Sequence, residues 1–190
     1  MSQFSLAALR SNLDRHDVRQ IDPDGLMPAA VMILLYDKDG EYCVLLNKRS
    51  QLVEHHKGEM SFPGGAKDPT DMDFLDTALR ETEEEMGISR SDIPVLGQLD
   101  DIITRSDFIV KVYVGTIPYP YEFRPSEIEI AEVVETPIKH LLDSKSLRYE
   151  SRWVDGEATT SVSYAYQDYL VFGPQLRFFN NYSIKLMKAN

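Results

Sequence analysis

Between residues 74 and 86 the chain reads FLDTALRETEEEM, free of glycine and proline, and Gly87 follows at once. Thr70, Asp71 and Asp73 offer caps at its start and the glycine offers a stop, so the stretch predicts a helix. At roughly 100° per residue, Leu75, Leu79, Thr82 and Met86 share one face suited to lying on a sheet. Glu81, Glu84 and Glu85, at i, i+3 and i+4, crowd a second face within an arc of about 100°. Carboxylates on adjacent turns repel one another, whereas a hard divalent cation such as Mg²⁺ seeks a few such oxygens together with substrate phosphate. The helix alone is equally consistent with a solvated acidic face.

The neighbouring residues favour the metal. Arg80 lies beside Glu81 and four residues before Glu84, where a forked guanidinium can orient a carboxylate. Gly64 and Gly65 let backbone approach the helix and its ligand without a Cβ in the way. Gly65, Asp71, Arg80-Glu81, Glu84-Glu85, Gly87 and Ile88 in that order resemble the signature box of the Nudix hydrolases. The box usually carries Glu where Asp71 stands, one residue fewer before the Arg-Glu pair, and an aliphatic residue in place of Thr82. None of these departures touches Glu81, Glu84 or Glu85.

Upstream, Arg49, Ser50, Gly58, Phe62, Pro63, Gly64 and Gly65 are similar to the motif that precedes the box in the coenzyme A pyrophosphatases of that family. The Asp68-Pro69 turn and the extra residue before Arg80 belong to the same likeness. Glu54 stands where that motif has Arg, and Asn47 where it has Thr. A carboxylate cannot greet a phosphate-rich ligand as a guanidinium does. Lys48, Arg49 and Lys57 remain as cationic partners for substrate phosphates.

A formal net charge of −11 argues against general nucleic-acid binding, since a polyanion needs a basic stripe. A compact anionic substrate, neutralised by metal and local cations, is compatible with it. The lone Cys43 excludes an internal disulfide framework and fits a reducing, cytoplasmic compartment; in a strand it reads as a small buried hydrophobe. The first residues lack the apolar core of a signal peptide, and no stretch approaches a membrane span. His16, His55, His56 and His140 show no zinc-like spacing. Whether the chain forms a homodimer is left open.

Leu6, Leu9 and Leu13 predict a short amphipathic helix in an N-terminal segment at residues 1–20 that packs on the domain. Residues 29–36 and 42–46 predict a hairpin across Asp37-Lys38-Asp39-Gly40-Glu41. Strands are expected at 94–98 and 108–117, joined by a charged loop holding Asp100, Asp101, Arg105 and Asp107. An irregular loop rich in Tyr, Phe and Pro follows at 119–125, its rings available to stack on a nucleobase or to pack over the sheet edge. Residues 127–134 alternate as a strand, 137–142 suit a short helix, and 146–154 with 161–172 suit a hairpin turning at Asp155-Gly156. A helix over 176–187, in a C-terminal segment at 174–190, completes the reading. With 43% apolar residues the chain suits one well-buried domain spanning residues 1–190, with the signature box at 64–88. The resemblance implies an α/β (α+β) fold, a single α/β/α sandwich with a mixed twisted sheet.

The resemblance further implies Mg²⁺ or Mn²⁺ held by Glu81, Glu84 and Glu85, with Arg80 orienting the carboxylates and the Gly64-Gly65 loop shaping the approach. Glu129 is the corresponding acid outside the box; an exposed strand face is its alternative reading. A general base is then either a box glutamate or Glu129. The expected substrate is a small nucleoside diphosphate derivative like coenzyme A, cleaved to 3′,5′-ADP and 4′-phosphopantetheine or its acyl form. Cleavage of ADP-ribose, NADH or a dinucleoside polyphosphate is the nearer alternative, and a non-catalytic nucleotide- or protein-binding domain the farther one.

Overall fold

The computed structural model describes residues 4–53, 56–104, 106–141, 143–154 and 157–171. Glu54, His55, Arg105, Leu142, the Asp155-Gly156 turn and the expected C-terminal helix lie outside the described residues. Among the described residues no helix is long and apolar enough to cross a membrane.

The first hairpin joins β1 (Met27–Lys38) to β2 (Glu41–Arg49). Asp39 and Gly40 both take positive φ, 54° and 88°, the geometry a tight two-residue hairpin demands. The two strands pair directly only from Leu35↔Val44 to Lys38↔Glu41. Beyond that they splay, and the segment 60–66 is wedged between them. Its β3 (Met60–Ser61) pairs with Asn47 and Lys48 of β2, while β4 (Gly64–Ala66) pairs with Ala29, Ala30 and Val31 of β1. On its other edge β1 runs parallel to β6 (Phe108–Thr116), which pairs with β5 (Val95–Ile103), and β7 (Ile130–Pro137) closes the far edge of β2. The sheet is mixed, as expected.

Alternation along β1 sends successive side chains to opposite faces. Ala30, Met32, Leu34 and Tyr36 face one core with Ala78, Met86 and Ile88 of the acidic segment, whereas Ile33 and Leu35 face a second core. The helix predicted from the acidic stretch is α2 (Phe74–Met86), capped by the Asp73 carboxylate, which accepts from the Asp76 amide, and stopped at Gly87. Its buried stripe is turned from the expected one. Thr77, Ala78, Thr82, Glu85 and Met86 are buried, while Leu75 and Leu79 are half-buried against the core. The reason is close approach: small Ala78 and Thr82 bring the helix to the sheet, and the Thr82 hydroxyl satisfies itself on Ala78 O at 2.7 Å.

The second core is covered by α1 (Leu6–Leu13), which packs Leu9 and Leu13 on β5, by the short α3 (Ile138–Leu141), and by a separate antiparallel sheet of β8 (Leu147–Val154), β9 (Glu157–Tyr166) and β10 (Tyr169–Val171). The expectation of one strand over 161–172 needs correction. The chain turns at Gln167, whose φ is 52°, and comes back as β10. Likewise residues 127–129 form a turn rather than the start of a strand, and β5 extends through Asp100 and Asp101 instead of ending in a loop. Asp101 is buried there, accepting from Lys111 and from the Ile21 amide.

Candidate active site

Four elements meet at the glycine pair. Because β4 is hydrogen-bonded into the sheet, Gly64 is driven to a φ of 152°, and a Cβ there would lie 2.3 Å from Ala30 O. Gly65 backs directly onto α2: a Cβ on it would lie 2.6 to 2.8 Å from the carboxylate of Glu81. The loop therefore presses backbone against the acids of the helix, and Gly64 donates its N–H to Glu85 Oε2 at 3.1 Å.

Glu85 is the buried member of the acidic group, 2% exposed. Besides Gly64 it accepts from Asn47 Nδ2 at 3.0 Å, and the Ser61 hydroxyl donates to Asn47 Oδ1, which fixes the amide orientation. Arg49 reaches Glu85 Oε1 only at 3.4 Å, and its Nε is buried with no hydrogen-bond partner. Burial pushes the Glu85 carboxyl up to about 8, against the Gly64 N–H and Arg49, with Glu81 and Glu129 pushing it further. Burial likewise raises Glu81, Arg80 opposes that shift, and Glu84 and Glu129 add to it. Glu129 stands in the 127–129 turn, which is stitched to the end of β2 by Ser50 N donating to Glu129 O at 2.7 Å. Its charge is near enough to act on those of Glu81 and Glu85. Glu84 is mostly exposed and turned toward solvent.

Arg80 reaches both carboxylates expected of it, but commits its fork to a third. Its fork closes on Asp71, Nε to Oδ1 at 2.8 Å and Nη2 to Oδ2 at 3.0 Å, and only its Nη1 edge reaches Glu81 and Glu84, each at 2.9 Å. Asp71 is itself buried, accepting also from the Asp68 amide and from the Thr77 hydroxyl. The Arg80 bonds hold its carboxyl below the usual carboxylate range, with burial opposing. Asp71, Asn47 and Thr77 support the site although motif reading gave none of them a role there. Asp71 had a signal, since it occupies the place of a box acid.

Gly64, Gly65, Glu81, Glu85, Arg49, Arg80 and Glu129 come together; Lys48 does not. Adjacent residues of a strand point to opposite faces, and Lys48 Nζ sits 5.3 Å from the Tyr169 ring centroid, over the second core. Among the described residues no three ligating side chains already close on one point. The donor chemistry nevertheless fits Mg²⁺ or Mn²⁺: oxygen donors that repel one another, with Arg80 2.9 Å from Glu81 and Glu84 and Arg49 only 3.4 Å from the buried Glu85.

Comparison with known proteins decides the family. The family model for the NUDIX domain matches residues 26–156, which contain the whole of this site. The chain belongs to the Nudix family. An uncharacterized Nudix hydrolase NudL of Photorhabdus laumondii is 34% identical over 130 residues, covering 68% of this chain and 70% of that protein. The human mitochondrial coenzyme A diphosphatase NUDT8 is 39% identical over 124 residues, 64% of this chain; the match spans about half of that enzyme, 52%. Among solved structures, a Caenorhabditis elegans Ap4A hydrolase complex superposes with a TM-score of 0.51 at 19% identity, over 58% of this chain and 80% of the other. The Nudix hydrolase RenU of Mycobacterium smegmatis does so at 0.51 and 20% identity, over 60% and 72%. These two likenesses speak for the fold.

Proposed function

We propose that this Nudix protein is a metal-dependent pyrophosphohydrolase that cleaves the diphosphate of coenzyme A or an acyl-coenzyme A to 3′,5′-ADP and 4′-phosphopantetheine or its acyl form. The observation that carries the reading is the pressing of the Glu81 and Glu85 carboxylates against the Gly64-Gly65 backbone, within reach of the Glu129 charge, with Glu85 buried and Arg49 no nearer to it than 3.4 Å. Such a group is electrostatically costly in a protein that only needs to fold. The likeness to the human coenzyme A diphosphatase and the motif around Arg49 and Phe62-Pro63-Gly64-Gly65 support the substrate.

Glu81 and Glu85, with Glu84 at the rim, would hold Mg²⁺ or Mn²⁺, which supplies charge neutralisation on the diphosphate and a more acidic water. The chain's own groups do the rest. Asp71 fixes Arg80, and Arg80 fixes Glu81 and Glu84. Asn47 and the Gly64 N–H occupy Glu85 Oε2, leaving Oε1 turned to the site. Arg49, whose guanidinium is held by Glu85 only at 3.4 Å, meets a phosphate oxygen. Glu129, the acid of the group that lies outside the helix, takes the proton of the water that attacks phosphorus.

One assay tests the reading. The protein is incubated with Mg²⁺ or Mn²⁺ and coenzyme A, acetyl-coenzyme A, ADP-ribose, NADH or a diadenosine polyphosphate, and products are separated by chromatography. Cleavage of coenzyme A with release of 3′,5′-ADP is expected. Preferential cleavage of another member reassigns the substrate, and binding without any product makes the domain a non-catalytic one. Glu54, in place of the motif's Arg, favours the first of these two outcomes as the second reading.

A further inference from the structure

On the α2 side of the sheet, the chain between β6 and β7 frames an open groove of about 390 Å³ lined by Tyr119, Pro120, Tyr121, Phe123, Val133 and Glu135. It adjoins the acidic site. Val133 is the cross-strand partner of Asn47, whose amide holds Glu85, and further along the loop Ser126 N donates to Glu85 O at 2.9 Å. The walls are fixed from behind. The Tyr121 hydroxyl is tied to Asp92 at 2.9 Å and to the Ser89 amide at 3.1 Å, and the Tyr36 hydroxyl beneath the groove donates to Glu135 at 2.8 Å. Tyr119 stacks on Tyr36 with centroids 5.9 Å apart and planes 13° from parallel, yet remains 36% exposed.

Tyr36 and Tyr121 are held by their hydroxyls, and Tyr119, stacked on Tyr36 with Lys38 Nζ 5.9 Å from its ring centroid, keeps its exposure, so the group forms a stacking platform rather than a self-sealed core. The only charged side chain in the lining is the Glu135 carboxylate, on which Lys38 and Tyr36 also converge. Lys38 is already committed to that carboxylate, so a phosphate gains no free cation from the lining and the groove does not suit one. A flat neutral heterocycle that donates N–H suits it: each carboxylate oxygen keeps a second lone pair after its bond to Tyr36 or Lys38. We infer that this groove is the base subsite of the enzyme, taking an adenine by stacking on Tyr119 and by an amine hydrogen bond to Glu135. This rests on the proposed diphosphate chemistry at the neighbouring acids.

The test is equilibrium binding, measured by titration calorimetry with Mg²⁺ present, using ADP, inosine diphosphate and 4′-phosphopantetheine as separate probes. Adenine presents an amine where hypoxanthine presents a carbonyl, so ADP is expected to bind roughly tenfold more tightly than inosine diphosphate. Tyr119→Ala should weaken ADP roughly tenfold, and Tyr119→Phe should restore most of it. The Tyr119→Ala protein should retain the parent melting temperature, since the ring is partly exposed. Equal affinity for the two nucleotides, an unchanged ADP affinity in Tyr119→Ala, or a loss confined to 4′-phosphopantetheine each overturns the subsite. If coenzyme A is not cleaved but the two nucleotides are still discriminated through Tyr119, the subsite stands and the substrate assignment falls.

Discussion

Replacing Asp71 by Asn removes one charge from the pair that anchors α2 while keeping the side-chain size. Asp71 accepts from Arg80 Nε, Arg80 Nη2, Thr77 Oγ1 and the Asp68 amide. An amide has a single oxygen, so its NH₂ must point at donors. Breaking a buried ion pair from one side costs about 3 to 5 kcal/mol. Arg80 keeps Ala66 O, Glu81 and Glu84 as acceptors, which places the cost near the lower end, about 3 kcal/mol. For a domain of this size that lowers the melting temperature by about 6 to 12 °C. The pH dependence has a fixed sign. The folded carboxyl titrates below the unfolded one, so its contribution is complete above about pH 5 and falls away as pH drops through the ordinary carboxylate value of about 3.9. The gap between parent and Asp71→Asn should therefore narrow by about 1 kcal/mol between pH 5 and pH 3. Urea unfolding followed by circular dichroism at both pH values measures it. An Asp71→Asn protein that melts with the parent at pH 7, or a gap that widens in acid, would refute the anchoring role.

Glu85→Gln should fold normally and lose activity by orders of magnitude, together with any rise in melting temperature on adding Mg²⁺; undiminished turnover would remove the acidic site from the reaction. In the metal-free parent, the Glu85 carboxyl at about 8 when folded sits above its unfolded value, so stability should decline as pH rises from about 5 to 8. Glu85→Gln should flatten that slope, read from urea midpoints in EDTA. Gly65→Ala places a methyl 2.6 Å from the end of the Glu81 side chain, which can swing away. Activity is expected to drop sharply with a change in stability under about 1 kcal/mol; a parallel loss of both would show that the glycine serves folding instead.

The helix α2, its Gly87 stop and the first hairpin were legible in the sequence because each rests on local rules: periodicity, a cap and a tight turn. The splaying of β1 from β2 was not, since it depends on where residues 60–66 insert, a non-local pairing that no periodicity announces. Arg80 shows the same divide. Its proximity to Glu81 and Glu84 follows from helix geometry, but its fork on Asp71, nine residues back, depends on the turn that brings Asp71 under the helix. The separation of Lys48 from Arg49 was readable, because neighbours in a strand cannot share a face. The break at Gln167 carries no glycine or proline, so composition gave no warning of β10.

Residues 60–66 are at once the lip of the candidate site and the filler that lets two diverging strands remain one sheet. Backbone in that position cannot loosen by itself: freeing Gly64 would unzip Ala30 and Val31 as well. Rigidity around the acidic group is thus inherited from the scaffold. Under the proposed function, variation in what the protein accepts has to come from places such as the segment between β6 and β7, where exchanging a ring leaves the interstrand ladder untouched.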